Sequence, residues 1–141
     1  MRLSATREIR RPAADVFEFV ADAANNPIWQ KGMKQCEWLT PAPTAVGSRY
    51  RQEASLLGRP VISVFEVVEL EPGARIVIET IESTFPIHVE RSVEVIDATS
   101  CRVSALIDGG PTVPRYLKGL SLRLAQRSVT ADYNRLVEYF E

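Results

Sequence analysis

The feature that most constrains the fold of this chain is a run of strand patterns that ends in one long helical pattern. Six strand patterns span residues 33–40, 47–56, 60–70, 75–82, 86–96 and 101–108. Turn-forming residues such as Pro72-Gly73 separate them. Residues 112–140 carry apolar side chains at helical spacing instead. Strands joined by such short turns form an antiparallel sheet, and the last helix is long enough to cover one face of it.

The chain before residue 33 adds a seventh strand and two short helices. Residues 2–9 alternate apolar and polar side chains, as a strand does. Pro12 suits the first turn of a helix, and apolar residues follow it at helical spacing up to Ala24. Asn25-Asn26-Pro27 ends that helix, and residues 28–31 are predicted to add one more helical turn.

Length and composition predict one cytoplasmic domain that spans residues 1–141. The chain has 17 basic and 18 acidic residues, so it has no overall field that would attract nucleic acid. No apolar run approaches the ~18 residues that a membrane-spanning helix needs. The charged N-terminus also lacks the apolar region of a signal peptide.

The cysteine and histidine content limits the chemistry of the chain. Two cysteines, Cys36 and Cys101, are too few for a Cys-rich zinc module, and a single histidine excludes a multi-histidine metal site. His88 falls on the outward side of its strand, so we expect a surface residue. No nucleophile and base can be paired, and the glycines form no phosphate-binding loop. We therefore expect no metal and no cofactor, and we name no catalytic residue.

Several short motifs occur in a characteristic order along the chain: Ile9-x-x-Pro12, Asp15-Val16-Phe17, Asn26-Pro27-x-Trp29, Val46–Tyr50 and Glu66–Pro72, before the long closing helix. In this the chain resembles the START-like (SRPBCC) superfamily, especially its polyketide cyclase/dehydrase and lipid-transport family. The resemblance implies an α+β helix-grip fold. In that fold a curved seven-stranded antiparallel sheet wraps around the C-terminal helix, two short helices lie between the first two strands, and an apolar cavity separates sheet from helix. Such proteins bind lipids, polyketides, isoprenoids or hormones without a cofactor. Because one fold supports many functions, the pocket must be argued from its own residues.

Side-chain alternation predicts which strand residues face that cavity. In 86–96 the odd positions are apolar apart from Arg91, which places Arg91 on the inward row. The simplest pairing across the turns sets Arg91 opposite Ile78, and Glu66 opposite both Thr80 and Tyr50. One bulge would reverse the strand 60–70 and bring Ser63 and Phe65 inside in place of Val64 and Glu66. In the simple register the apolar wall carries a polar cluster, which is typical of a small-molecule site: Tyr50, Gln52, Glu66, Thr80 and Arg91.

Structural roles compete with ligand binding for these residues. Arg91 and Glu66 could pair with each other as a structural ion pair. Tyr50 could be an amphipathic core residue rather than a catalytic acid.

The closing helix carries two apolar stripes. One consists of Leu122, Ala125, Val129, Tyr133, Leu136 and Phe140. The other lies roughly 150° away around the helix and consists of Val113, Leu117, Leu120, Leu124 and Ala131. One stripe suffices against one sheet, so the second needs a ligand, the long loops, a partner subunit or a membrane. Alternatively, 113–120 is a separate short helix that caps the core. We assign Leu117, Leu120 and Leu124 to the ligand cavity.

Three functions fit these patterns. The first is binding or transport of a hydrophobic small molecule, with the cluster around Arg91 orienting its polar group. The second is a polyketide cyclase, aromatase or dehydratase in which Tyr50 or Glu66 acts as general acid or base. The third is a lipid carrier that docks on membranes through the basic, leucine-rich residues 113–127. The predicted partners are a hydrophobic ligand and a transient membrane contact, and the chain is a monomer or homodimer.

Access to a closed cavity requires a moving part. The segment Gly109–Gly119 begins with two glycines and carries Pro111 and Pro114, so it combines hinge positions with stiff pieces. We predict that it gates the cavity.

Overall fold

A computed structural model describes all 141 residues of the protein. Its strands are β1 (Arg2–Ile9), β2 (Met33–Trp38), β3 (Arg49–Leu56), β4 (Arg59–Glu71), β5 (Arg75–Glu82), β6 (Ile87–Asp97) and β7 (Ser100–Gly109). Its helices are α1 (Ala13–Ala21), α2 (Asn26–Trp29) and α3 (Lys118–Tyr139), with short 3-10 turns at Ala23–Asn25 and Arg115–Leu117. The predicted order of elements is confirmed.

The seven strands form one antiparallel sheet in the order β1-β7-β6-β5-β4-β3-β2. Consecutive strands from β2 to β7 are neighbours, whereas β1 pairs with β7 from the far end of the chain. The helices between β1 and β2 therefore connect the two edges of the sheet. Helix α3 returns along β1, where the side-chain amide of Gln126 donates to the carbonyl of Ser4 at 2.8 Å and accepts from its backbone N–H at 3.3 Å.

A bulge at Val68 decides which residues of β4 face inward. Val67 pairs with Ile78, but Glu69 pairs with Val77, so Val68 has no partner of its own. Side chains alternate between the two faces along a strand. Because Val68 is an extra residue, the residues of β4 before it face the side opposite to the one that the simple register predicts. Phe65 lies opposite Tyr50. The simple register was therefore wrong for β4, and the alternative with Ser63 and Phe65 inside is confirmed.

The strand β6 has the predicted orientation with a shifted partner. Arg91 pairs with Ile76 and Val89 with Ile78, two residues away from the expected register, so both still face inward.

The closing helix begins later than residue 112 because of the glycines and prolines before it. Gly109 has a φ of 110°, and a Cβ atom there would lie 2.1 Å from the carbonyl oxygen of Pro86. Its N–H donates to the carbonyl of Met1 at 2.9 Å. The chain then runs without regular structure to Pro114, and the 3-10 turn leads directly into α3. The alternative of a separate helix over 113–120 was therefore wrong.

The core lies where α1, α2 and the C-terminal half of α3 meet the sheet. Trp29, Tyr50, Phe65 and Leu136 are among its largest fully buried side chains. Tyr133 and Leu136 are the only buried residues of α3, although the helix has 22 residues. Its first half is not buried against the sheet.

Candidate functional site

Arg91 is the only buried basic residue of the chain, and it lies at the centre of the core. Its side chain is on the inward row of β6, and the residue is 7% exposed. The Nη1 group donates to the carbonyl of Val20 at 2.9 Å and to Oδ1 of Asn26 at 3.0 Å. The guanidinium carbon also lies 5.2 Å from the ring centroid of Trp29, which is within the range of a cation–π contact. Arg91 thus ties the end of α1 and the start of α2 to the sheet.

The charge of Arg91 has no carboxylate partner. None of the ion pairs of the structure includes Arg91. Two buried N–H groups, Nε of Arg91 and Nε1 of Trp29, also have no hydrogen-bond acceptor. Buried donors are usually paired, so this part of the interior favours an acceptor oxygen.

Burial raises the pKa of one thiol and two phenol groups near Arg91. Burial raises the pKa of the Cys36 thiol to about 11, and the positive charge of Arg91 only partly opposes that shift. Burial raises the pKa of Tyr50 and of Tyr133 in the same way, again against Arg91. These thiol and phenol groups stay protonated at neutral pH and can donate hydrogen bonds.

A small cavity of about 10 Å³ adjoins Arg91. Its lining is formed by Val20, Ala21, Ala23, Trp38, Tyr50, Ile76, Ile78 and Arg91. This volume is close to the minimum that one water molecule needs. A larger open groove, of about 740 Å³, lies on the other side of Trp38, between α1, the β2–β3 loop and the β4–β5 turn. Trp38 and Ala21 line both spaces, so these two residues form the wall between them.

Burial decreases along the inner face toward the first half of α3. We call this region the open end; its residues Ala54, Val61, Ile87 and Ile107 are only partly buried. On the inward stripe of α3, the exposed fraction rises from 3% at Tyr133 to 43% at Leu122. Apolar side chains on both sides of this space therefore keep water-exposed surface.

A pair of polar residues, Gln52 and Ser63, lies between the open end and Arg91; we call this pair the polar step. Gln52 pairs with Ser63 on the inner face, between the Ala54–Val61 pair and the Tyr50–Phe65 pair. Gln52 is 6% exposed and Ser63 is 2% exposed. The Ser63 hydroxyl lies 2.7 Å from that of Ser83, and Oε1 of Gln52 accepts a weak bond from the Cys36 thiol at 3.8 Å.

The structure brings together part of the predicted cluster. Tyr50, Gln52 and Arg91 are buried on the inner face. Thr80 shares that face opposite Phe65, and its hydroxyl accepts from the N–H of Ile87 at 2.9 Å. Their roles toward a ligand stay predictions.

Glu66 was placed wrongly. It lies on the outer face, where its carboxylate accepts from Nε of Arg49 at 2.9 Å. The expected alternative of an Arg91–Glu66 pair was wrong for the same reason.

The three leucines of the second stripe also lie apart from this cluster. Leu120 and Leu124 are each 54% exposed, on the side of α3 away from Tyr133 and Leu136. Leu117 belongs to the 3-10 turn and is 37% exposed. Assigning them to the cavity wall was wrong for Leu120 and Leu124. His88 lies on the outer face beside Glu79, as expected.

Sequence reasoning missed the polar partners Asn26, Trp29 and Ser63. Asn26 and Trp29 stand out in the sequence only as parts of a motif, and the contact between Asn26 and Arg91 joins residues 65 positions apart. Ser63 is predicted inside only if β4 contains a bulge.

The family whose model matches this chain is described as polyketide cyclase / dehydrase and lipid transport, and the match covers residues 1–141. The chain belongs to this family. A comparison with curated protein sequences finds no match.

Several solved structures resemble the chain over nearly its whole length. A START superfamily protein from Mycobacterium smegmatis has a TM-score of 0.82 at 17% identity, over 99% of this chain and 96% of that one. A protein from Thermus thermophilus has a TM-score of 0.80 at 21% identity, over 98% and 95% of the two chains. The Zhui aromatase/cyclase from a Streptomyces species has a TM-score of 0.78 at 15% identity, over 99% and 92%. At these identities the likeness establishes the helix-grip fold alone.

Proposed function

We propose that the protein binds a hydrophobic small molecule between the open end of the sheet and the first half of α3. The observation that carries this proposal is the loss of burial along one continuous stripe, from Tyr133 at 3% to Leu122 at 43%. Removing apolar surface from water is favourable by roughly 25 cal/mol per Å². An apolar ligand would therefore gain affinity by covering Leu122 and the partly buried aliphatic residues that face it.

The polar step determines which end of the ligand enters first. The ligand's apolar part would contact Val61, Ile87 and Ile107, and its polar end would meet Gln52 and Ser63. Beyond that step the Tyr50 hydroxyl and the Cys36 thiol stay protonated and act as donors, since their pKa values are raised. A carbonyl or carboxylate oxygen is the group that suits such donors.

The direct test is titration of the native protein with a fluorescent fatty acid. Saturation near one molecule per chain is expected. Val61→Trp fills the inner face of β4 and should abolish this binding. Ile62→Trp is the matched control, because Ile62 is the next residue of the same strand, is 39% exposed and faces outward opposite Glu53.

Equal losses in the two variants, with both still folded by circular dichroism, would place the probe elsewhere. Absence of saturable binding to the native protein would overturn the proposal.

The enzymatic alternative now depends on Tyr50. Glu66, the other predicted acid or base, is outside the sheet and paired with Arg49. The raised pKa of Tyr50 keeps its hydroxyl protonated, which suits a hydrogen-bond donor to a polyketide carbonyl. Conversion of a linear poly-β-keto substrate by the native protein, lost in Tyr50→Phe, would support this second function.

A further inference from the structure

The first turns of α3 and the 3-10 turn before it present an exposed apolar surface. We call it the leucine face; it consists of Tyr116, Leu117, Leu120 and Leu124. Tyr116 is 85% exposed and the three leucines are 37–54% exposed. At 100° per residue, Leu120 and Leu124 point away from the stripe that contains Tyr133 and Leu136. The core of this chain therefore does not cover the leucine face.

Four basic residues occur in the same turns as the leucine face, and Arg123 and Arg127 flank Leu120 and Leu124 by helical spacing. Arg115, Lys118, Arg123 and Arg127 are all exposed, and none of them belongs to an ion pair. No aspartate or glutamate occurs between Asp108 and Asp132. The chain as a whole has a net charge of −1. A local excess of four positive charges is thus concentrated at one end of one helix.

This combination of charge and apolar surface selects among the occupants of the face. A second copy docked symmetrically would bring four positive charges against four others, which is unfavourable. An apolar ligand alone would cover the leucines but would provide no anionic partner for the four basic side chains. An anionic lipid surface satisfies both features, because basic side chains bind its headgroups while leucine and tyrosine enter the boundary with the acyl chains.

We propose that residues 115–127 dock the protein on the surface of an anionic membrane. The contact is peripheral, since no helix of the structure is both long and apolar enough to cross a bilayer. The docked surface and Leu122 share the same turns of α3 but lie on opposite sides of the helix. The docking itself stands on exposure and charge, and it holds whether or not the inner space takes a ligand.

The test is flotation of the native protein with lipid vesicles. Vesicles of phosphatidylcholine mixed with phosphatidylglycerol should bind the protein, whereas vesicles of phosphatidylcholine alone should not. Added salt should release it, because surface charges are screened. The double variant Arg123→Gln with Arg127→Gln should lower the partition coefficient of the protein between vesicles and solution roughly 30-fold, because each charge near the surface contributes a factor of about five. The matched control is Arg10→Gln with Arg11→Gln, which removes two exposed charges from another part of the chain.

The apolar contribution has its own pair of variants. Leu120→Ser with Leu124→Ser should reduce vesicle binding at least tenfold and leave the fold intact. Leu39→Ser is the control, because Leu39 is 53% exposed in the β2–β3 loop.

Three outcomes would overturn the proposal. One is equal binding to neutral and anionic vesicles, and another is an equal effect of the control variants. The third is a change of oligomeric state, rather than of vesicle binding, when Leu120 and Leu124 are replaced; the leucine face would then be a subunit interface. Fatty-acid titration of the same variants keeps this test separate from the proposed function.

Discussion

The indole Nε1 of Trp38 donates a hydrogen bond of 2.8 Å to Oδ1 of Asp22. The same oxygen accepts from the N–H of Ala24 at 3.1 Å, so one carboxylate caps the 3-10 turn after α1 and holds the end of β2. Because Trp38 lines both the small cavity beside Arg91 and the open groove, this bond fixes the wall between those two spaces.

Trp38→Phe is expected to lower the free energy of unfolding by about 1–2 kcal/mol, because the aromatic ring is retained while the bond to a carboxylate is lost. Urea denaturation measures the change. Asp22→Asn is the control, since its side chain retains an acceptor oxygen and should cost less. A Trp38→Phe variant as stable as the native protein would mean that side-chain packing alone holds the wall.

Arg91→Met is expected to destabilise the protein by about 1.5–3 kcal/mol, since it removes the bonds to Val20 and Asn26 from a charged donor. Arg49→Met is the matched control. Its bond to Glu66 lies on the outer face with the arginine side chain 52% exposed, and exposed pairs contribute about 0–1 kcal/mol. Equal losses in urea denaturation would show that Arg91 is not a structural anchor.

The Arg91→Met variant also tests whether Arg91 binds the ligand or only stabilises the fold. If the unpaired Nε of Arg91 binds the polar end of the ligand, Arg91→Met lowers the affinity for a fatty-acid probe more than the affinity for a hydrocarbon probe of similar size. Equal weakening of the two would assign Arg91 to the fold alone.

Gly109→Ala is expected to destabilise the fold severely, because the new Cβ would lie 2.1 Å from the carbonyl oxygen of Pro86. Gly110→Ala is its neighbour and control: its φ is 109°, but nothing lies within 4 Å of the added atom. The control therefore carries only the strain of a positive φ, about 1–3 kcal/mol. Melting temperatures of the two variants measure the difference, and equal values would contradict the close approach to Pro86.

Both cysteines are expected to be unreactive toward Ellman's reagent in the native protein at neutral pH, because both are buried and the pKa of Cys36 is raised to about 11. Both should react after unfolding. Rapid reaction of the native protein would show that the interior opens readily.

Stability is expected to fall on the alkaline side. The unfolded chain releases the Cys36 proton near the ordinary pKa of 9.0, whereas the folded chain keeps it up to about 11. A raised folded pKa gives stabilisation that is complete below the lower value and is lost as the pH rises through the upper one. The raised pKa values of Tyr50 and Tyr133 act in the same direction. Cys36→Ala should make the unfolding free energy less sensitive to pH in this window.

Hydrogen exchange tests the predicted gate. Residues 111–120 should exchange faster than 129–138 and should slow when an apolar probe binds. The amides of Gly109 and Gly110 should be protected, because they donate to the carbonyls of Met1 and Pro86. The structure therefore places any moving part after Gly110. Uniform protection of the whole segment, unchanged by the probe, would argue for a fixed connection.

Arg91 and Glu66 show how far the sequence determines the site. The strand β6 alternates without interruption around Arg91, so its inward direction could be predicted from the pattern alone. In β4 the residues Val67 and Val68 are identical, and both registers place a valine inside. The bulge between Val67 and Glu69 appears only in the pairing of β4 with β5, and the local sequence pattern is compatible with either register.

Helix α3 shows a second limit. Its two apolar stripes could be predicted, but which one faces the sheet depends on tertiary contacts. The aromatic contact between Trp29 and Tyr133, with ring centroids 4.9 Å apart, helps to decide that choice. Trp29 lies on another helix more than a hundred residues earlier in the chain.

The two bonds between Gln126 and Ser4 resemble those of a neighbouring strand, because one side-chain amide both donates to and accepts from the same backbone residue. The strand β1 is an edge of the sheet, and unpaired edges can join the edges of other molecules and lead to aggregation. Helix α3 thus covers part of this edge: Gln126 occupies both backbone groups of Ser4, and Asn134 accepts a side-chain bond from Arg7. A protein that releases α3 to admit a ligand would expose that edge, so opening must be brief or confined to the turns of α3 before Gln126.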